Sequence, residues 1–356
     1  MAITCTLEGK CEGRDLRVFR LKNGNGMQMC VLDRGATIRS LIVPDRNGNP
    51  TDVVLGHETL EAYEENPGYF GAVIGRCANR IKNGTIKVGN NTFTSGINDG
   101  NNSLHGGFRG FDKKFWKAEA FCGTAKEPSI TFVTTSEDGE EGYPGNLTVS
   151  VTYTLFMDNT LKIQYEASCD KDTVVNLTNH AYFNLGGHNS GTIDDHEIML
   201  KSGFFTPNTS ECIPTGEILS VEGRPFDLRK AKKFSKIFKS DDEQIKMFNG
   251  FDHNFVLDGG QSMKRFGYIK CEKTGIMMNC YTDMPGVQIY TGNAIEEGSI
   301  GKDGCVLGAH HAVCVETQCF PDAMQYSHFP SIFLRCGDTY NKTTMYKFSC
   351  RAEREL

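Results

Sequence analysis

Two residues of this chain are of the types needed to move protons, and each is set in a segment that could hold it in place. His180 follows the β-branched pair Val174-Val175, lies between Asn179 and Tyr182, and precedes a stop at Gly186-Gly187. That pattern reads as a strand delivering an imidazole to an edge or cleft, beside polar and aromatic neighbours suited to a hydroxyl-rich ligand. Glu316 sits in Val313-Cys314-Val315-Glu316-Thr317-Gln318. Strand alternation puts Val313, Val315 and Thr317 on one face and Cys314, Glu316 and Gln318 on the other. If both faces are covered, Glu316 is a carboxylate in a partly dry site, with a pKa raised toward that of a general base. The plain alternatives are a hydrogen-bonded core histidine and a solvated polar face.

Other polar clusters could complete a site. Residues 75–80 (GRCANR) are too polar and too arginine-rich for an ordinary core strand, and they contain Asn79 and Arg80. Residues 98–110 carry His105 among glycines that let backbone approach a ligand closely. In Asn249–Phe255 the adjacent Asp252 and His253 face opposite ways in a strand, so one points inward and needs a partner there. Gln288 and Tyr290 share the face opposite Val287 and Ile289. Amide, carboxylate, guanidinium and aromatic groups converging on a sheet cleft suit a neutral polyol: carboxylates and amides bridge hydroxyls, and a ring covers the C–H face.

The elements that must position these groups are strands. Nine Asn-Gly or Asp-Gly pairs punctuate the chain, a strong hairpin signal. Between them period-2 alternation recurs. Leu147, Val149, Val151, Tyr153 and Leu155 form one run, and Leu161, Ile163, Tyr165 and Ala167 form the next, across a turn at Asp158-Asn159. Residues 37–43, 130–133, 287–290, 313–318 and 345–350 have the same character. Helix is expected only at 60–65 and at 228–238, after Pro225-Phe226-Asp227. No repeat and no Pro/Ser-rich linker divides the chain, so the expectation is an all-β fold, a large antiparallel sandwich in one domain over residues 1–356.

Composition excludes several function classes. A net charge of −6, with no long single-sign block, argues against nucleic acid or an anionic membrane as partner. No stretch reaches the roughly 18 apolar residues of a membrane span, and no signal peptide is expected at the N-terminus. Fourteen scattered cysteines without a C-x-x-C pair read as reduced thiols, hence a cytoplasmic protein. No Walker A loop, G-x-G-x-x-G or H-E-x-x-H is present, so no nucleotide cofactor and no metal are expected. His310-His311 are adjacent and read as a loop; His180, His188 and His196 lack a ligand spacing.

The chain resembles the aldose 1-epimerase (galactose mutarotase) family over nearly its whole length. The motifs are 75–80 (GRCANR), 102–111 (NSLHGGFRGF), 176–185 (NLTNHAYFNL), 213–217 (IPTGE), 225–229 (PFDLR), 250–255 (GFDHNF), 285–293 (PGVQIYTGN) and 316–322 (ETQCFPD), in order. The resemblance implies a β-supersandwich and interconversion of the α and β anomers of free aldohexoses such as galactose and glucose. By motif, Glu316 would be the base at the C1 hydroxyl, His180 the acid at the ring oxygen, and His105 a helper there. Asn79, Arg80, Tyr182, Asp252 and Gln288 would hold the sugar. Glu316 and His180 are expected on opposite sides of the anomeric centre, with Asp252 keeping His180 charged. The ligand is a monosaccharide, with no obligate protein partner implied. Ala181, Cys77 and Cys319 depart from the family's common residues, which bears on sugar preference and not on the reaction. The rivals are a non-catalytic sugar-binding protein on the same fold, a hexose-6-phosphate 1-epimerase using Arg76, Arg80 and Arg109, and a glycosidase pairing Asp252 with Glu316.

Overall fold

Alternation along the strands becomes alternation of burial. The computed structural model describes residues 2–350; Met1 and residues 351–356, the two ends of the expected domain, lie outside the described residues. In Leu147–Leu155 every second residue is buried, and the strand pairs with Thr160–Cys169 in the register Val149↔Ala167, Val151↔Tyr165, Tyr153↔Ile163. Both strands therefore turn one apolar face to the core, as a period of 2 requires.

Three sheets hold most of the strand residues. Five N-terminal strands run in sequence order from Ile3–Cys11 to Pro50–Asp52. A nine-stranded sheet begins at Lys117–Cys122, includes the hairpin above, continues through Thr339–Ser349 and Met277–Thr282, and ends at Lys232–Lys233. The third has six strands in the order Tyr182–Phe183, Val313–Gln318, Gly286–Tyr290, Asp252–Val256, Phe204–Thr206 and Leu219–Ser220. One apolar core is shared by all three, through residues such as Phe19 and Leu41, Val151 and Tyr153, and Phe255 and Val315. Tyr346 of the nine-stranded sheet donates its hydroxyl to Val315 O of the six-stranded one at 2.6 Å, so the two sheets meet directly behind the glutamate strand. This is the expected antiparallel β-supersandwich.

The helices differ from expectation. Residues 60–65 form only the 3₁₀ turn Glu61–Tyr63. Of residues 228–238 only Phe234–Phe238 is helical, because Lys232–Lys233 pair as a strand with Glu197–Ile198 and Asp227 turns back on Arg229. A second helix, Glu243–Phe248, was unexpected: Asp242 caps it by accepting Gln244 N–H, and Asn249 ends it in the left-handed conformation. No helix among the described residues is long and apolar enough to cross a membrane.

Arg76 is part of this framework. Fully buried, its guanidinium donates to the carbonyls of Ser136, Glu137, Pro144 and Gly145 and to the hydroxyls of Ser136 and Thr173. Replacing it with Met orphans several buried acceptors, each costing about 1–3 kcal/mol. Arg76→Met should therefore lose at least about 3 kcal/mol in urea unfolding; a loss below about 1 kcal/mol would show those carbonyls find water instead.

Candidate active site

One face of the six-stranded sheet forms the floor of a cavity of ≈ 490 Å³. All six residues of Val313–Gln318 are buried, so both faces of that strand are covered and Glu316 is dry, 2% exposed. Register sets its neighbours. Gln288 lies opposite Glu316, and Asn254 opposite Gln288; in the next row Tyr182, Cys314, Tyr290 and Asp252 follow one another across the strands. On the Asp252 strand the alternate residue His253 points into the core, where Nδ1 accepts Asp252 N–H and Nε2 meets Gln244 Oε1 at 3.1 Å. That contact anchors the Glu243–Phe248 helix, whose C-terminal end supplies Met247, Phe248 and Asn249 to the cavity wall.

His180 stands where the chain changes partner. Thr178-Asn179 pair with Val73-Ile74, whereas Tyr182-Phe183 pair with Val313-Cys314. The bend between them is made by Asn179, whose Oδ1 accepts Ala181 N–H at 3.1 Å while its amide donates to Gly71 O at 2.8 Å. An Asx-type turn of this kind re-aims the following side chain. The His180 ring is thereby held over the sheet, with Nε2 3.6 Å from Glu316 Oε1 and Nδ1 3.5 Å from Cys314 Sγ. The imidazole and the carboxyl stand side by side on one wall, too close together for a hexose ring to lie between them.

His105 arrives on the glycine-rich loop. Its Nδ1 accepts Asn79 N–H at 3.1 Å, and its own N–H donates to Asn79 O. Its ring meets His180 edge-on at a centroid separation of 5.2 Å. The loop is not a free surface segment: Asn98 accepts Leu104 N–H and donates to Leu104 O and Gly107 O. Gly106 approaches Gly75 O so closely that a Cβ there would lie 2.0 Å from it, at φ +97°, so only glycine fits.

The remaining expected residues fall at different depths. Asn79, Arg80, Asp252 and Tyr182 line the cavity with His105, His180 and Glu316. Arg80 binds Asp99 at 2.7 Å and faces Asp252 at 3.9 Å. Tyr182 presents its ring, since its hydroxyl is committed to Gly68 O. Gln288 lies a layer back, 1% exposed, donating to Asp252 Oδ1 at 2.6 Å. Asp252 is thus held by Gln288, Arg80 and the Cys212 thiol, and does not act as the counter-charge of His180. Arg109 is exposed and pairs with Glu12, and Arg76 is bound in the core. Of the three arginines considered for a phosphate, only Arg80 reaches the cavity. Sequence reasoning missed Tyr69 and Asn293 as lining residues. Tyr69 packs on His105 at 4.7 Å; Pro67-Gly68 before it signals a turn but not what the turn faces.

Burial governs the electrostatics. It pushes His180 down to about 4 and His105 well below the usual imidazole range, the latter helped by His180, Arg80 and Lys113. It pushes Glu316 well above the carboxylate range; the Asp252 charge adds to this and Arg80 opposes it. In water a glutamic acid is about 2 pH units more acidic than an imidazolium. Here burial shifts the two in opposite directions, each toward its neutral form, so the imidazolium is no longer the weaker acid of the pair. Ligand atoms of His105, His180 and Glu316 all lie within 4.8 Å, close enough for a small cation. However, His105 Nδ1 already accepts a backbone N–H, which puts the proton on Nε2 and makes that nitrogen a donor, not a ligand.

The aldose 1-epimerase family model matches residues 17–347. Galactose mutarotase of Bos taurus is 43% identical over 331 residues, covering 93% of each chain. Aldose 1-epimerase of Escherichia coli (strain K12) is 34% identical over 340 residues, covering 95% of this chain and 96% of its own. Among solved structures, an aldose epimerase homologue from C. elegans superposes with a TM-score of 0.85 at 32% identity, covering 93% of this chain and 98% of its own. Galactose 1-epimerase from Lactobacillus acidophilus NCFM does so with a TM-score of 0.85 at 29% identity, covering 98% of both. With a family model that takes in every residue lining the cavity, and such relatives along nearly all its length, the chain belongs to the aldose 1-epimerase family.

Proposed function

We propose that this protein interconverts the α and β anomers of free aldohexoses such as galactose and glucose, with Glu316 and His180 as its acid–base pair. The observation that carries this reading is the pair itself: a buried carboxyl and a buried imidazole 3.6 Å apart on one wall of a polar cavity. Two groups side by side suit a carbon bearing two oxygens. Glu316 takes the O1 proton as the C1–O1 bond becomes a carbonyl. The C1–O5 bond breaks, and His180 gives its proton to O5. The open-chain aldehyde turns about C1–C2, His180 recovers the O5 proton as O5 attacks the other face, and Glu316 returns its proton to O1. The pair holds one proton throughout, and only its position changes. His105, a fixed N–H donor, supports the charge on O5.

Asn79, Arg80 and Asp252 are the groups placed to hold hydroxyls, and the Tyr182 and Tyr290 rings flank them. Gln288 acts from behind by fixing Asp252. Fourteen cysteines, all free, fit a reducing cytoplasm, and the shared core fits one domain.

Polarimetry of freshly dissolved α-D-galactose and α-D-glucose tests the function. The protein should speed relaxation in proportion to its concentration without changing the final rotation. A protein that binds either sugar without speeding relaxation is the non-catalytic rival, and one that acts only on 6-phosphates is the other. The pH profile follows from the pair. Activity fails when a second proton settles on His180, so the acid limb of kcat/KM lies near pH 4, not near the ordinary imidazole value. Polarimetry across a buffer series checks this, and an acid limb at about 6.5 would mean that His180 is hydrated.

A further inference from the structure

None of residues 213–217 (IPTGE) lines the cavity, yet the loop they complete touches a residue that does. The loop is closed on itself: Thr209 N–H donates to Ile213 O, Cys212 N–H to Thr209 O, and Thr215 N–H to Pro207 O. It is also moored to its surroundings. Glu211 accepts from the side-chain amides of Asn101 and Asn102, and Pro214 O accepts from the Tyr326 hydroxyl. Between these moorings Cys212 is buried, with Sγ 3.2 Å from Asp252 Oδ2. We infer that Cys212 is a positioning residue for sugar binding: its S–H donates to Asp252 Oδ2 and fixes the carboxylate that holds sugar hydroxyls.

That oxygen has no other donor of its own. Gln288 holds Oδ1 at 2.6 Å, whereas Arg80 Nη1 stands 3.9 Å from Oδ2, beyond hydrogen-bond reach. Among the described residues the thiol is thus the only hydrogen-bond donor to Oδ2. The terminal torsion of an aspartate is soft, so a carboxylate held at one oxygen can still turn. A second donor stops it. The other contacts of the sulfur agree with this direction. Asn208 Nδ2 donates to Sγ at 3.7 Å, and Asp252 O, at 3.9 Å, is a more distant acceptor than Oδ2. Burial, and after it the Asp252 charge, raise the thiol well above its usual range, so it keeps a proton to donate. Cys212 has φ +58°, a left-handed conformation that glycine or asparagine adopts more readily. The closed loop holds it there.

This inference rests on Asp252 as a sugar-holding residue, and its test separates the two ideas. Polarimetric rates at graded D-galactose concentrations give kcat and KM for each variant. Cys212→Ala should raise KM about 3–10-fold, the range for one lost hydrogen bond, and leave kcat little changed. Cys212→Ser, which keeps a donor, should have a KM closer to native than Cys212→Ala. In an Asp252→Ala background the Cys212→Ala change should alter kcat/KM by less than about 2-fold, because the thiol has nothing left to hold. A native KM in Cys212→Ala overturns the inference, as does a serine variant no better than alanine. A full penalty that persists in the Asp252→Ala background also overturns it, since the thiol would then act through packing alone. Asp252→Ala with a native KM would instead sink the reading of Asp252 as a sugar-holding residue.

Discussion

Glu316→Gln should lower kcat for anomerisation by about 10²–10⁴-fold while KM changes little. The amide keeps the shape of the side chain and a hydrogen bond to O1, but its oxygen is far too weak a base to take the hydroxyl proton. Stability should move the other way. Glu316 is a buried carboxyl that burial drives toward its neutral form, and its Oε2 lacks a hydrogen-bond partner among the described residues. An uncharged isostere relieves that cost, so thermal unfolding of the variant should occur at the same temperature as the native protein or higher. Lost activity together with retained stability marks a group kept for chemistry. Lost activity with a lowered unfolding temperature would instead make Glu316 part of the framework.

His180→Asn should show a loss of similar size, again in kcat. Asparagine can still donate a hydrogen bond to O5 but cannot release a proton to it. His105 stands near enough to suggest a substitute, at a ring separation of 5.2 Å. Its burial beside Arg80 and Lys113 disfavours an imidazolium there, so it cannot take over proton delivery. Polarimetry at saturating sugar measures the loss. Activity within a few-fold of native would transfer the acid role from His180 to His105 or to water.

Much of this was readable in the residues. Leu147–Leu155 and Thr160–Cys169 announce a hairpin because one face of each is buried and a one-residue slip would expose it. The mixed face of Val313–Gln318 is informative for the same reason: Glu316, between the buried Val315 and Thr317, has nowhere wet to go. Depth was harder to read. Arg76 and Arg80 share a motif, yet one is bound to core carbonyls and the other lines the cavity, and no local property separates them. Gln288 and Asp252 both sit on the cavity face, but only the fold puts one behind the other. The Glu243–Phe248 helix was legible and was missed. Asp242 is an N-cap residue, and Asn249-Gly250 is a left-handed stop, but the stretch is short and carries little apolar periodicity. The placement of His180 and Glu316 side by side depends on a bend at Asn179 that long-range pairing imposes.

The most direct test is a crystal structure of the Glu316→Gln protein soaked with D-galactose. The sugar should lie in this cavity with O1 hydrogen-bonded to the residue 316 side chain and O5 within hydrogen-bond reach of His180 Nε2. A hexose bound with C1 turned toward Arg80 and Asp252, or seated outside the cavity, would contradict the assignment of the acid–base pair.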